Sequence, residues 1–427
     1  MSQHQSYVTD LPQLLIVGAG MAGLTLAAAL ADQPLAIRII DPRPAPAPEQ
    51  WPATFDPRVS ALTQASENIL RRLGAWEPMV QQRVSPFQHM AVWDGDGTGR
   101  IAFDAAEAGA DHLGHIVENR VTTWALLQQV QQADNVVFEP LGLERILEAE
   151  GGRWQVILSD GTAFIPDLLV GADGGRSRVR EQLGFRCRTW AYGQSAIVTT
   201  VTTERPHGDT ARQVFLDTGP LAFLPLREAS DQRNSHCCSI VWTLDQAQVP
   251  GIMALDDTEF RAQLGQAFEH CLGAVTHCDR RFVFPLIQNH AVDYIQPGVA
   301  LIGDAAHSIH PLAGQGINLG LLDAAVLAEE IQRALPLALS PGDDLVLRRY
   351  QRRRKPHNLL LMSAMEGFKR LFGMDLPPLR VARNLGMSTL NRHPLIKNRI
   401  MVRAMGLDLG WQGDLPALAQ PELLADF

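Results

Sequence analysis

The chain has 427 residues, 46% hydrophobic and 19% charged, with a formal net charge of −9. That length can bury a large core and allows two or three domains, while the acidic balance argues against nucleic acid as the main partner. Its five cysteines (Cys187, Cys237, Cys238, Cys271 and Cys278) contain no CxxC pair, so reduced thiols in the cytoplasm are expected and no metal site is assigned.

Residues 1–12 are polar. Leu14–Ala31 is an apolar run about as long as a membrane span, but no Lys or Arg precedes it and glycines stand at 18, 20 and 23. A second apolar run, Leu35–Ile40, follows at once and ends at Asp41. Strand, glycine turn, helix and strand account for this pattern better than a membrane helix does. Gly18, Gly20 and Gly23 form GxGxxG, in which the glycines permit a tight turn, close approach to a pyrophosphate and packing of helix on strand. Asp41, 18 residues beyond Gly23, suits a ribose hydroxyl.

Pro42–Pro57 reads as an irregular connection, and Asp56–Leu62 leads into a helix to about Leu73. Arg58, near its start, is a candidate diphosphate ligand. His89–Trp93 and Arg100–Phe103 form strands around Asp94-Gly95-Asp96-Gly97, a hairpin signal. A helix is expected over Val121–Gln132. Trp154–Leu158 and Phe164–Val170 read as another hairpin, ending in GADGGRSR with Asp173 among the glycines. From Val198 to about Phe284 the pattern is β-rich, with strands at Ile197–Thr203, Arg212–Leu216, Leu221–Leu226 and Cys238–Leu244 and an embedded helix, Thr258–Cys271.

Val299–Ile302 is a buried strand that stops at Gly303-Asp304. A glycine turn, Gly314-Gln315-Gly316, precedes a helix from about Ile317 to Ile331. A strand ending at an acid and leading through glycines to a helix start offers a hydroxyl acceptor and free amide donors. His307 and His310 beside this turn read as structural. The remainder is mainly helical. Arg348, Arg349, Arg352, Arg353 and Arg354 read as a solvated helix face, with contact to anionic lipid or an acidic partner as the functional alternative.

GAGMAG, GADGGRSR and GDAAHSIHPLAGQGIN, in that order, resemble the single-component FAD-dependent aromatic hydroxylases of the para-hydroxybenzoate hydroxylase type. HLGHIVENRV, LAFLPL, VFPL and LRRYQRRRK resemble the ubiquinone-biosynthesis branch, and within it the polyprenylphenol hydroxylases that add the first ring hydroxyl. The resemblance implies an α/β fold. A discontinuous Rossmann-like FAD-binding domain (1–85, 112–183, 281–345) would carry an inserted β-sheet substrate domain (86–111, 184–280) and a helical C-terminal region (346–427). It places Gly18, Gly20 and Gly23 on the FAD pyrophosphate, Asp41 on the adenosine ribose, and Arg58 and Arg120 beside the cofactor. Asp173 would support FAD and the nicotinamide. Gly303 and Asp304 would take the ribityl region, and Gly314, Gly316 and Asn318 the isoalloxazine edge. Phe223, Leu224, Pro225 and Pro311 would line an apolar substrate cleft.

The implied reaction uses NAD(P)H and O₂ to hydroxylate a polyprenylated phenol through a flavin C4a-hydroperoxide. Alternatives are another ring-hydroxylation step of the same pathway or a flavin reductase or dehydrogenase of the same fold. The expected location is cytoplasmic, with peripheral contact to the inner membrane or membership of a biosynthetic complex. No acid–base residue is assigned.

Overall fold

The computed structural model describes residues 11–43, 45–95, 97–229, 235–308, 316–373 and 415–420, with single positions between 384 and 406. A six-stranded sheet holds the apolar runs in the order 295–296, 299–301, 168–171, 13–17, 36–40, 136–139. All pairs are parallel except the short antiparallel edge at Ile295–Gln296. Leu14, Leu15 and Ile16 are almost fully buried, as are Leu168, Leu169 and Val170. Burial on both faces is why these strands read as continuous apolar runs rather than alternating ones. The run Leu14–Ala31 is therefore a strand, Gln13–Val17, and a helix, Met21–Ala29. No helix among the described residues is long and apolar enough to cross a membrane.

The second large sheet is entered twice. The hairpin His89–Asp94/Arg100–Asp104 pairs with Thr210–Leu216, and the sheet continues through Gly219–Leu226, Cys237–Asp245, Cys187–Thr203 and Phe282–Ala291 to His307–Ser308. One face packs on Val249–Ala254 and Asp257–Ala267, through Ile197, Ile240, Trp242 and Phe223 against Phe260, Leu264 and Phe268. The other face, with Ala222, Leu224 and Leu226, packs on Ala61, Phe87 and Ile116. Those three residues belong to a small sheet, Val59–Leu62, Gly114–Glu118 and Ser85–Phe87, lying against the first unit.

Three sequence expectations are corrected. Phe164–Val170 is not one strand: Ala163–Phe164 closes the hairpin with Arg153–Leu158, and Leu168–Gly171 enters the central sheet. Pro166 lies between them and has no N–H for a ladder. Phe282–Ala291, expected with the cofactor-binding segments, pairs with Cys187–Thr203 in the large sheet. The arginine run does not share one solvated face. Arg354 is 1% exposed and bound to Asp323, Arg353 bridges Glu329 and Glu330, and Arg348 stays outside with Asp344.

Candidate active site

The three motifs converge at one edge. Val17, Gly171 and Leu301 end adjacent parallel strands, and the turns after them are stitched together: the Ala172 N–H donates to the Val17 carbonyl at 2.8 Å and the Ile302 N–H to the Gly171 carbonyl at 3.0 Å. Ligands of open parallel sheets bind outside this carboxyl edge.

The glycines do different work. Gly18 has φ +108°, and a Cβ there would lie 2.5 Å from the Ala172 oxygen. At Gly23 a Cβ would lie 2.1 Å from the Gly18 oxygen, so the helix can sit this close to the turn only without a side chain. Gly20 is extended and caps Met21–Ala29 with no side-chain hydrogen bond, and a Cβ there would meet nothing within 4 Å. The amides of that first turn therefore face an open cradle, the arrangement a pyrophosphate needs. Asp41 holds the turn: its carboxylate accepts from the Ala19 N–H at 3.0 Å and the Arg43 N–H at 2.9 Å. Its remaining lone pairs can take ribose hydroxyls.

Asp173 accepts from the amides of Arg178 and Val179 at 2.6 and 3.2 Å, while its other oxygen is buried without a partner. Arg180, which sequence reasoning missed, staples two motifs: it donates to the carbonyls of Gly175 and Ala305 at 2.6 and 2.8 Å. Gly303 has φ +56° and packs beside Ala22 and Gly320, bringing two helix starts together. Asp304 opens into the cleft with its surface exposed. The protein crowded round it still raises its carboxyl, against the pull of His307 and with Asp323 adding repulsion.

Beneath this turn lies a buried network. Asp323 is 0% exposed; it accepts from Gly303 N–H at 3.1 Å and Arg354 Nε at 2.7 Å, and meets His307 Nε2 at 2.5 Å. Burial alone would raise its carboxyl, but His307 and Arg354 outweigh that and hold it well below the carboxylate range. The reading of His307 as structural fits this position. His310, Pro311 and Gly314 lie outside the described residues.

The Asn318 side chain is engaged within the protein. Its oxygen accepts from Thr63 N–H at 3.0 Å and Ser66 Oγ at 2.7 Å, and its NH₂ donates to the Ala61 carbonyl at 2.8 Å. It clamps the start of Gly316–Ala334 to the small sheet; Gly316 is the first residue of that helix. Arg58 and Arg120 share one cavity of about 410 Å³ with Trp51, Thr200 and Arg280, between the connection 46–58 and the edge of the large inserted sheet. Arg58 is 67% exposed, whereas Arg120 is held by Glu118 at 2.5 Å and Thr54 at 2.7 Å with its Nε buried and unpartnered. Glu118 was not singled out from sequence; its role emerges only from Arg83, Arg120 and the Asp56 amide converging on it.

The expected substrate lining divides. Phe223 stacks on Phe268 at 3.6 Å, in the core on the helix-covered face of the sheet, and Pro225 shares its face by strand alternation. Leu224 faces the small sheet, with Ala61, Phe87 and Ile116. On that side lie also Ala196, Val198, Leu286 and Tyr192. The Tyr192 hydroxyl bonds to Gln288 and lies beside Glu366; burial and that carboxylate raise its phenol well above the ordinary value.

Acid-bearing turns at the carboxyl edge of a Rossmann-type sheet define a dinucleotide-binding class. The open cradle at Gly20, the amides behind it and the exposed Asp304 fit FAD. The profile of the FAD binding domain family matches residues 12–364, and the chain belongs to that family. It is 35% identical over 395 residues to the 3-demethoxyubiquinol 3-hydroxylase of Escherichia coli (strain K12), covering 92% of this chain and 98% of the relative. It is 38% identical over 399 residues to the ubiquinone hydroxylase UbiL of Rhodospirillum rubrum, covering 93% and 90%. The crystal structure of p-nitrophenol 4-monooxygenase PnpA from Pseudomonas putida DLL-E4 shares the fold, with a TM-score of 0.74, 18% identity and coverage of 92% of this chain and 98% of that one. The protein is thus an FAD-dependent monooxygenase, a hydroxylase with FAD as its cofactor.

Proposed function

We propose that the protein hydroxylates the ring of a polyprenylated phenol in ubiquinone biosynthesis, consuming NAD(P)H and O₂. The observation that carries the reading is the convergence of the three turns at one sheet edge, in a chain similar to ubiquinone-pathway hydroxylases along nearly its whole length. Bound FAD, once reduced, supplies the oxygen activation. The chain's part is to hold and to exclude. The Gly20 cradle and first-turn amides receive the pyrophosphate, Asp41 the ribose and Asp304 the ribityl hydroxyls. Arg58 and Arg120 supply positive charge at the cleft. Ala196, Val198, Leu224 and Leu286 give the ring and prenyl tail an apolar wall that keeps water out. Tyr192, with its hydroxyl fixed by Gln288, is placed to take the substrate's phenolic hydroxyl.

The ring position is the finer part of the proposal: addition of the first ring hydroxyl. One relative is named for a different ring step, and that favours a second reading, a later hydroxylation. Mass spectrometry of quinone intermediates in a deletion strain separates them. Accumulation of an unhydroxylated polyprenylphenol supports the first reading; accumulation of a methoxylated intermediate contradicts it. We place the protein in the cytoplasm with its C-terminal helices in peripheral contact with the membrane. Full recovery in the soluble fraction at low salt without detergent would count against that contact.

A further inference from the structure

Glu67, His112 and His115 come together on the far side of the clamp made by Asn318. Thr63 caps Gln64–Arg72 by accepting from the Ser66 amide, which sets Glu67 in the first turn. Arg71, one turn on, holds Glu67 Oε1 through Nε at 2.9 Å and Nη2 at 2.8 Å. The other oxygen, Oε2, is thereby turned toward two imidazoles, His112 Nε2 at 2.8 Å and His115 Nδ1 at 3.2 Å. His115 stands at the start of the buried strand Gly114–Glu118 with its ring against Trp76, centroids 4.8 Å apart.

We propose that Glu67, His112 and His115 form a binding site for a borderline divalent transition-metal ion of the Zn²⁺ class. The three donor atoms all lie within 4.8 Å of one another. Bonds of 2.0–2.1 Å at the tetrahedral angle separate neighbouring donors by about 3.3 Å. The two carboxylate–imidazole distances are already near that value, and the imidazole pair needs only a small closing rotation.

His115 Nδ1 is buried and turned toward Glu67 Oε2, so this ring is already aimed at the shared centre. The Nδ1–H tautomer of His115 donates to the carboxylate when the site is empty, and the Nε2–H tautomer presents its Nδ1 lone pair to a cation. Two nitrogens and one oxygen select Zn²⁺, Co²⁺ or Ni²⁺ over Mg²⁺ or Ca²⁺. The His112 side chain is 19% exposed, which leaves a path for the ion and for a water as fourth ligand. Arg71 orients the carboxylate, and its charge moderates affinity. An occupied site would tie Gln64–Arg72 to the small sheet one residue from Ser66, which holds Asn318 at 2.7 Å.

The test is calorimetric titration of ZnCl₂ into untagged, metal-free, FAD-loaded protein, beside His112→Ala, Glu67→Gln and His277→Ala. The wild type should bind one ion with high occupancy, and its zinc absorption-edge spectrum should fit two imidazole ligands. His112→Ala and Glu67→Gln should bind about tenfold or more weakly. His277, 67% exposed and elsewhere on the surface, should be replaceable without effect. His112 is partly exposed, so its alanine variant folds and decides the matter even if Glu67→Gln does not fold. Absence of stoichiometric Zn²⁺ binding, or unchanged affinity in His112→Ala, overturns the proposal.

Discussion

Alanine at Gly20 and alanine at Gly23 should damage the protein in opposite ways. A Cβ at Gly23 would stand 2.1 Å from the Gly18 carbonyl oxygen, a backbone atom that can move only by separating helix from strand. Overpacking of that kind costs about 1–3 kcal/mol of stability, with or without ligand. At Gly20 the backbone is extended, φ −76° and ψ 177°, and the added methyl meets nothing within 4 Å. Apo-protein stability should therefore change by under about 1 kcal/mol, the scale of an altered helix cap. The methyl does project into the cradle reserved for the pyrophosphate, so FAD affinity should fall by at least about tenfold, or 1.4 kcal/mol. Urea denaturation of the apoprotein gives the first quantity and quenching of flavin fluorescence the second. Wild-type FAD affinity in Gly20→Ala would refute the placement of the pyrophosphate at this turn.

Arg354→Met should lower stability by about 3–5 kcal/mol, because it leaves the buried Asp323 carboxylate short of one partner while His307 remains. A loss under about 1 kcal/mol by urea denaturation would mean that His307, the Gly303 amide and the Asn358 side chain satisfy the carboxylate without Arg354. The acid limb should be set in part by His290 and His357, which burial first of all pushes down to about 4 and about 3. Unfolded histidine titrates near 6.5, so below that pH the unfolded state binds protons that the folded state refuses, and stability falls as pH falls. At pH 5 each should cost about 2 kcal/mol relative to pH 8. His357→Gln should flatten the slope between pH 6.5 and 4; an unchanged slope would contradict the assignment.

What the sequence revealed follows from what is local. GAGMAG, GADGG and GDAA each put an acid or a glycine at fixed spacing after an apolar run, and each does end a parallel strand at the same sheet edge. The first half of the strand Cys187–Thr203 was invisible because CRTWAYGQS is polar and largely exposed; it is held by pairing with Phe282–Ala291 across an irregularity. Side-chain direction was equally hidden. Leu221–Leu226 reads as an apolar strand, but only its neighbours decide that Phe223 faces Phe268 and Leu224 the small sheet. Arg354 looks like one arginine among five, yet pairs with an acid 31 residues away. The clamp that the Asn318 side chain makes on Thr63, Ser66 and Ala61 was hidden as well, because its partners lie more than 250 residues away in the chain.

The central claim is ring hydroxylation of a polyprenylated phenol by an FAD-loaded enzyme. It is tested most directly by supplying purified protein with NADH or NADPH, a short-chain polyprenylphenol and ¹⁸O₂, and weighing the product. The account predicts one ¹⁸O atom in the ring hydroxyl and one reduced nicotinamide consumed per product formed. Nicotinamide oxidation that yields only hydrogen peroxide, or a reduced product without ¹⁸O, would contradict it.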